Sequence, residues 1–143
     1  MEWKNEFTTG IHNIDGQHRT IVEFISLFEK LAQDEANRQH PRPLILRARK
    51  FIEFHFHVEE SLMQILPYPN FEAHRAEHRR ELQKIVDIEA RLSREHTWHD
   101  SAQSMRDCLI EHIVHGDKAL SQYALRLYRP RQSDAGNRAS AEL

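Results

Sequence analysis

Between Gly16 and Gly116 the chain contains no glycine. Tight β-hairpin turns need residues that accept positive φ, so a stretch this long without glycine disfavours a hairpin-rich β fold and suits long helices. Proline breaks the stretch at only two places, Pro41 with Pro43 and Pro67 with Pro69. Elsewhere apolar residues recur three and four positions apart, the period of one face of an α-helix. After a leading arm with Trp3, Phe7, Ile11 and Ile14, Asp15 is placed to act as an N-cap, and Ile21, Val22, Ile25, Phe28 and Leu31 mark helix A over about 16–36. Helix B, about 43–66, carries Ala48, Phe51, Ile52, His55, Val58, Glu59, Leu62, Met63 and Leu66 on its stripe, and Pro67 and Pro69 stop it. Helix C, about 70–94, shows Phe71, His74, His78, Leu82, Ile85, Ile88 and Leu92 at the same rhythm. After EHTWHD, helix D runs over about 100–128 with Met105, Cys108, Leu109, His112, Ile113, Leu120, Tyr123 and Leu127 facing inward.

Four amphipathic helices with short connections predict an all-α fold, an up-down-up-down antiparallel four-helix bundle with an N-terminal arm, over residues 1–129. Residues 130–143 are polar, lack a core-forming pattern and are expected to form a disordered tail. The 143 residues suit one domain with one core. With 20 Lys plus Arg against 22 Asp plus Glu, the formal charge of -2 supplies no basic field for nucleic acid or an anionic membrane face. No apolar run reaches the roughly 18 residues of a membrane span. A single cysteine, Cys108, cannot form an internal disulfide, and MEWKNEF lacks the basic-then-apolar pattern of a signal peptide. A cytoplasmic protein is expected.

Histidine occurs eleven times, and five of the eleven fall on predicted inward faces together with acidic residues. Helix A brings His18. Helix B brings His55 and Glu59 at i,i+4, helix C brings His74 and His78 at the same spacing, and helix D brings His112 with either His115 or Asp117. Buried without partners, such groups would each cost several kcal/mol. A metal satisfies many imidazoles at once, because each neutral ring presents a lone pair. On helix D geometry alone prefers His115, which at about 100° per residue lies about 60° from His112 against about 140° for Asp117, and spacing does not settle the choice. Asp117 can reach inward only if the helix loosens near Gly116, for instance through an extra-residue bulge.

The set GIHNIDGQH ending at His18, HFHVEESLM from His55, HRAEH from His74 and HIVHGD from His112 resembles the hemerythrin family, and its single-domain bacteriohemerythrins in particular, over residues 3 to about 123. The resemblance implies a non-haem centre of two iron ions in the bundle interior. One iron would be held by His74, His78 and His112 and the other by His18 and His55, with Glu59 and Asp117 bridging the pair beside an oxo or hydroxo group. It therefore takes Asp117 over His115. It also implies an open position on the second iron for dioxygen, behind an apolar wall supplied here by Ile21, Phe56, Leu109 and Ile113. Family members commonly carry tryptophan where this chain has Cys108, so a more open oxygen pocket and faster autoxidation are expected.

The function implied is reversible dioxygen binding, for carriage, storage or delivery to an oxygen-consuming client enzyme, rather than catalysis. Ferritin-like di-iron oxidases use paired E-x-x-H motifs and several carboxylates, and this chain has no E-x-x-H. The same centre would also suit a sensor read by a signalling partner, or reduction of peroxide or nitric oxide. HRAEH separately fits the H-x-x-E-H zinc-peptidase signature with Glu77 as general base, which leaves His18, His55 and His112 without a role. His12, His40, His57, His96, His99 and His115 read as arm, loop or outward residues, and Glu60 as solvated or paired with a surface base.

Overall fold

The computed structural model describes residues 1–33, 41–92 and 98–128. The arm makes one 3-10 turn, Asn5–Phe7, followed by α1 (His12–Gln33), α2 (Pro41–Ile65), α3 (Phe71–Leu92) and α4 (Trp98–His112). A π-helical turn, Ile113–Asp117, carries α4 into α5 (Lys118–Tyr128), so the fourth rod is one helix with a single wide turn. Each rod packs on its neighbour in sequence, and the fourth closes against α1 to complete the four-helix bundle. Among the described residues there is no strand and no helix long and apolar enough to cross a membrane. The expected tail at 130–143, and the expected ends of helices A and C at 36 and 94, lie outside the described residues.

The periodic stripes supply the core. Ile25, Phe28, Ile45, Ile52, Ile85 and Ile88 are buried together with Met105 and Leu109 in one half of the bundle. Phe7 of the arm packs with Val22 and Ile113, and Met63, Tyr68 and Leu120 form a smaller cluster toward the other end. The inward polar residues lie between these apolar regions, which fixes the level of the site along the bundle.

Two expectations are corrected. Asp15 does not cap α1: the helix begins earlier, at His12, and Asp15 lies in its first turn. Its carboxylate accepts from the Thr9 amide at 2.7 Å, the Thr9 hydroxyl at 2.7 Å and the Gly10 amide at 3.1 Å, tying the arm to the helix. Gly10 turns the chain there with φ of 90°, a conformation that suits a residue without Cβ. Leu127, expected inward, is exposed, while Leu120, Ser121 and Ala124 are buried; the extra residue in the π turn shifts the stripe that follows it.

Candidate metal centre

All seven side chains that the resemblance implies as ligands are buried, His112 the least so at 6 % of its surface exposed. α1 carries His18, α2 carries His55 and Glu59, α3 carries His74 and His78, α4 ends on His112, and the π turn ends on Asp117. Their ligand atoms form two groups, each mutually within 4.8 Å: Glu59, His74, His78, His112 and Asp117 in one, His18, His55, Glu59 and Asp117 in the other. The two carboxylates belong to both. The geometry is that of two adjacent positions, one with three imidazoles and one with two, sharing Glu59 and Asp117.

The wide turn is what brings Asp117 in. The Lys118 amide donates to the Ile113 carbonyl five residues back, and in such a turn residue i+5 falls over residue i. Asp117 Oδ1 consequently lies 2.9 Å from His112 Nε2, while His115 is exposed.

Like His112, the other four rings turn Nε2 toward a shared carboxylate: His18 at 3.0 Å from Asp117 Oδ2, His55 at 3.6 Å from the same oxygen, and His74 and His78 each at 3.3 Å from Glu59 Oε2. Yet His18 Nε2, His55 Nε2, His112 Nε2, Glu59 Oε1 and both Asp117 oxygens are buried with no hydrogen bond among the described residues. They approach one another without the geometry of donor to acceptor. Unsatisfied buried polar atoms cost roughly 1–3 kcal/mol each, and so many lone pairs converging on one volume cannot satisfy one another. Metal ions can, and a mixed imidazole and carboxylate set suits first-row transition metals. The residues present therefore fit a metal pair.

The charges at the centre agree. Burial pushes the Glu59 carboxyl up, as does the Asp117 charge, but hydrogen bonds from His74 and His78 and the nearby His55 together hold it below its ordinary value. Burial likewise acts to raise Asp117, and His112, His18 and His55 overcome it and keep the group well below the usual carboxylate range. His74 is driven down by burial and up by Asp117 and Glu59, which win and carry it to about 9. His112 is raised by the same two carboxylates against burial. The site thus keeps its carboxylates anionic, as ligands must be.

The Hemerythrin HHE cation binding domain family matches residues 9–124 of the chain. The chain belongs to the hemerythrin family. A bacteriohemerythrin of Methylococcus capsulatus is 29% identical over 121 residues, covering 82% of this chain and 92% of the relative. Hemerythrin subunit alpha of Lingula anatina is 35% identical over 83 residues, 58% of this chain and 64% of the relative. Among solved structures, a wild-type hemerythrin crystal structure superposes with a TM-score of 0.78 at 28% identity, covering 85% of this chain and 95% of that one.

Around the seven donors of this hemerythrin domain stand residues that the sequence pattern passed over. His55 Nδ1 donates to Gln17 Oε1 at 2.9 Å, and His78 Nδ1 to Glu60 Oε1 at 3.1 Å. Glu60 is paired with a surface base, one of the two expected outcomes, Arg75 Nε lying 3.7 Å from Oε2, and beyond that expectation it is half-buried with Oε1 against a ring of the centre. Glu77 Oε2 lies 3.8 Å from His112 Nδ1, behind the ring and on the side away from the shared carboxylates. That position deprives the H-x-x-E-H peptidase reading of its general base. Of the expected wall residues, Ile21, Phe56, Leu109 and Ile113 are all buried. Phe56 stacks on His78 with ring centres 4.0 Å apart and meets His112 edge-on at 5.4 Å. Cys108 is half-buried and lines a surface hollow with Lys84, Asp100, Gln103, Ser104, Asp107 and Glu111, a placement that gives no support to its bordering the oxygen pocket. His57 faces outward, donating to the Glu53 carbonyl, and His40 and His96 lie outside the described residues.

Proposed function

We propose that the protein binds dioxygen reversibly at two iron ions that His18, His55, Glu59, His74, His78, His112 and Asp117 would hold. The observation that carries this reading is the unequal division of imidazoles about two shared carboxylates. Three rings serve one position and two the other, so the second position is a ligand short and would be the one to take dioxygen. A ferrous pair supplies two electrons and a Lewis acid for dioxygen when bound. The chain supplies the rest. Five rings and two carboxylates would fix the pair in place, and Ile21, Phe56, Leu109 and Ile113, all buried, would form the apolar wall that excludes bulk water and protons. The donor set, richer in neutral imidazole than in carboxylate, favours return of the dioxygen over its activation, and the bacteriohemerythrins that the chain resembles fit the same reading. Carriage, storage and delivery to an oxygen-consuming enzyme all follow from such a site. A reducing cytoplasm, where ferrous iron and the free thiol of Cys108 persist, is the setting it implies.

Anaerobic reconstitution with ferrous iron, followed by cycles of air and deoxygenation, tests the proposal. Two irons per chain, with charge-transfer absorption that appears in air and disappears on deoxygenation over repeated cycles, is the expected result. One-way oxidation coupled to turnover of peroxide or nitric oxide would make the protein an enzyme instead, and a colourless product holding one zinc would end the di-iron reading.

A further inference from the structure

The five rings are alike in what they face inward and unlike in what stands behind them. In the three-histidine position, His78 is backed by the Glu60 carboxylate at 3.1 Å and His112 has the Glu77 carboxylate at 3.8 Å. In the two-histidine position, His55 is backed by the neutral amide oxygen of Gln17 at 2.9 Å, and His18 Nδ1 is buried with no hydrogen-bond partner among the described residues. An acceptor on Nδ1 fixes the tautomer that leaves the Nε2 lone pair free, and an anionic acceptor also raises the basicity of the ring as a ligand. A neutral amide does only the first.

We propose that Glu60 and Gln17 are positioning residues that make the two metal positions unequal in strength, the three-histidine position being held the more tightly because a carboxylate stands behind it. The inference rests on the di-iron reading above. Glu60 carries more of the effect than Glu77, since Glu77 is beyond hydrogen-bond distance and its side chain is 42% exposed, where solvent screens it. Glu60 is 24% exposed, and its carboxylate lies within hydrogen-bond distance of His78. The consequence is an order of release: the two-histidine position empties first, and the gap between the two rates is set partly by groups that never touch metal.

Isosteric exchanges isolate charge from packing. Glu60→Gln keeps an acceptor oxygen and removes the charge; Gln17→Glu keeps the acceptor and adds one. The protein loaded anaerobically with two ferrous ions is mixed with a ferrous chelator, and iron release is followed by absorbance, with Mössbauer spectra of ⁵⁷Fe-loaded samples giving the populations of the two positions. Wild type should lose iron in two phases of equal amplitude. Glu60→Gln should speed the slow phase roughly tenfold and leave the fast one, and Gln17→Glu should slow the fast phase by a similar factor, the scale on which partners of ligating histidines act. Rates unmoved by both exchanges, or moved equally in both phases, overturn the proposal while leaving the di-iron reading intact. Failure of the wild type to take up two irons overturns both.

Discussion

Each carboxylate at the centre is set against several imidazoles, and this governs what single substitutions and pH should do. Removing Glu59 or Asp117 would take a donor from both positions at once, whereas removing His55 would take one from the two-histidine position only. His55→Ala should therefore retain about one iron per chain under conditions where wild type holds two, and Glu59→Ala should retain less, by elemental analysis after desalting; equal retention in the two variants contradicts the sharing. The metal-free protein should show a matching pH response. His74, raised to about 9, stabilises the fold fully below its unfolded value near 6.5, and that contribution fades as pH climbs through about 9. Asp117 and Glu59, held below their ordinary values, contribute above those values and lose it in acid. Urea midpoints of the metal-free protein should accordingly fall between pH 6.5 and 9, while metal affinity rises over the same interval because a ligand ring must be neutral. A flat midpoint across that range would contradict the assignment. His55 with Glu59 and His74 with His78 were legible because i,i+4 spacing places each pair on one helix face, whereas Asp117 came only from the family resemblance. Gln17 and Glu60 were not legible, because their partners lie 38 and 18 residues away on other helices, and a contact across rods leaves no period in one sequence.

The π turn shows what an element adds to its residues. Spacing on an ideal helix points Asp117 away from His112, and only the closing pattern five residues back reverses that. Gly116 marked the place as loosenable, yet the reason for glycine is packing rather than an unusual φ. A Cβ there would meet His112 Cε1 and Nδ1 at 3.2 Å and Glu77 Oε2 at 3.3 Å. Gly116→Ala should thus act in opposite directions on two observables. Helix propensity favours alanine by up to about 1 kcal/mol, so the metal-free protein should melt no lower than wild type. Metal binding should weaken, because the ring of His112 and the carboxylate behind it must shift by a few tenths of an ångström. Melting scans with and without metal decide the matter, and a variant that binds metal as well as wild type refutes the tight fit. The arm offers a parallel case. Asp15 looked like a cap by residue type, but the hydrogen-bonding groups it reaches belong to Thr9 and Gly10 before the helix. Asp15→Ala should speed amide exchange at Thr9 and Gly10 while α1 stays protected, and unchanged exchange there would mean the arm is held by its other contacts, such as Phe7 in the core and the Met1 amino group on Glu29.

Across the whole molecule the bundle divides by chemistry along its length. One half is filled by Ile25, Phe28, Ile45, Ile52, Ile85 and Ile88, whose periodic placement made the four rods readable from sequence. The next level holds seven polar side chains, six of whose inward-facing atoms have no hydrogen bond among the described residues. Apolar burial at about 25 cal/mol per Å² stabilises the first half whether or not metal is present. The second would gain its stability by ligation, which at metal concentrations 1,000-fold above Kd would add about 4 kcal/mol. Removing the metal should therefore lower the melting temperature by on the order of ten degrees without abolishing the helical signal. The loss should also be local. Amides near Glu59, His74 and Asp117 should lose protection against hydrogen exchange on metal removal, while those near Ile25 and Ile88 keep most of theirs, because opening the polar level leaves the apolar one packed. Uniform loss of protection along all four rods would mean instead that the bundle is one cooperative unit whose apolar half cannot stand without the centre.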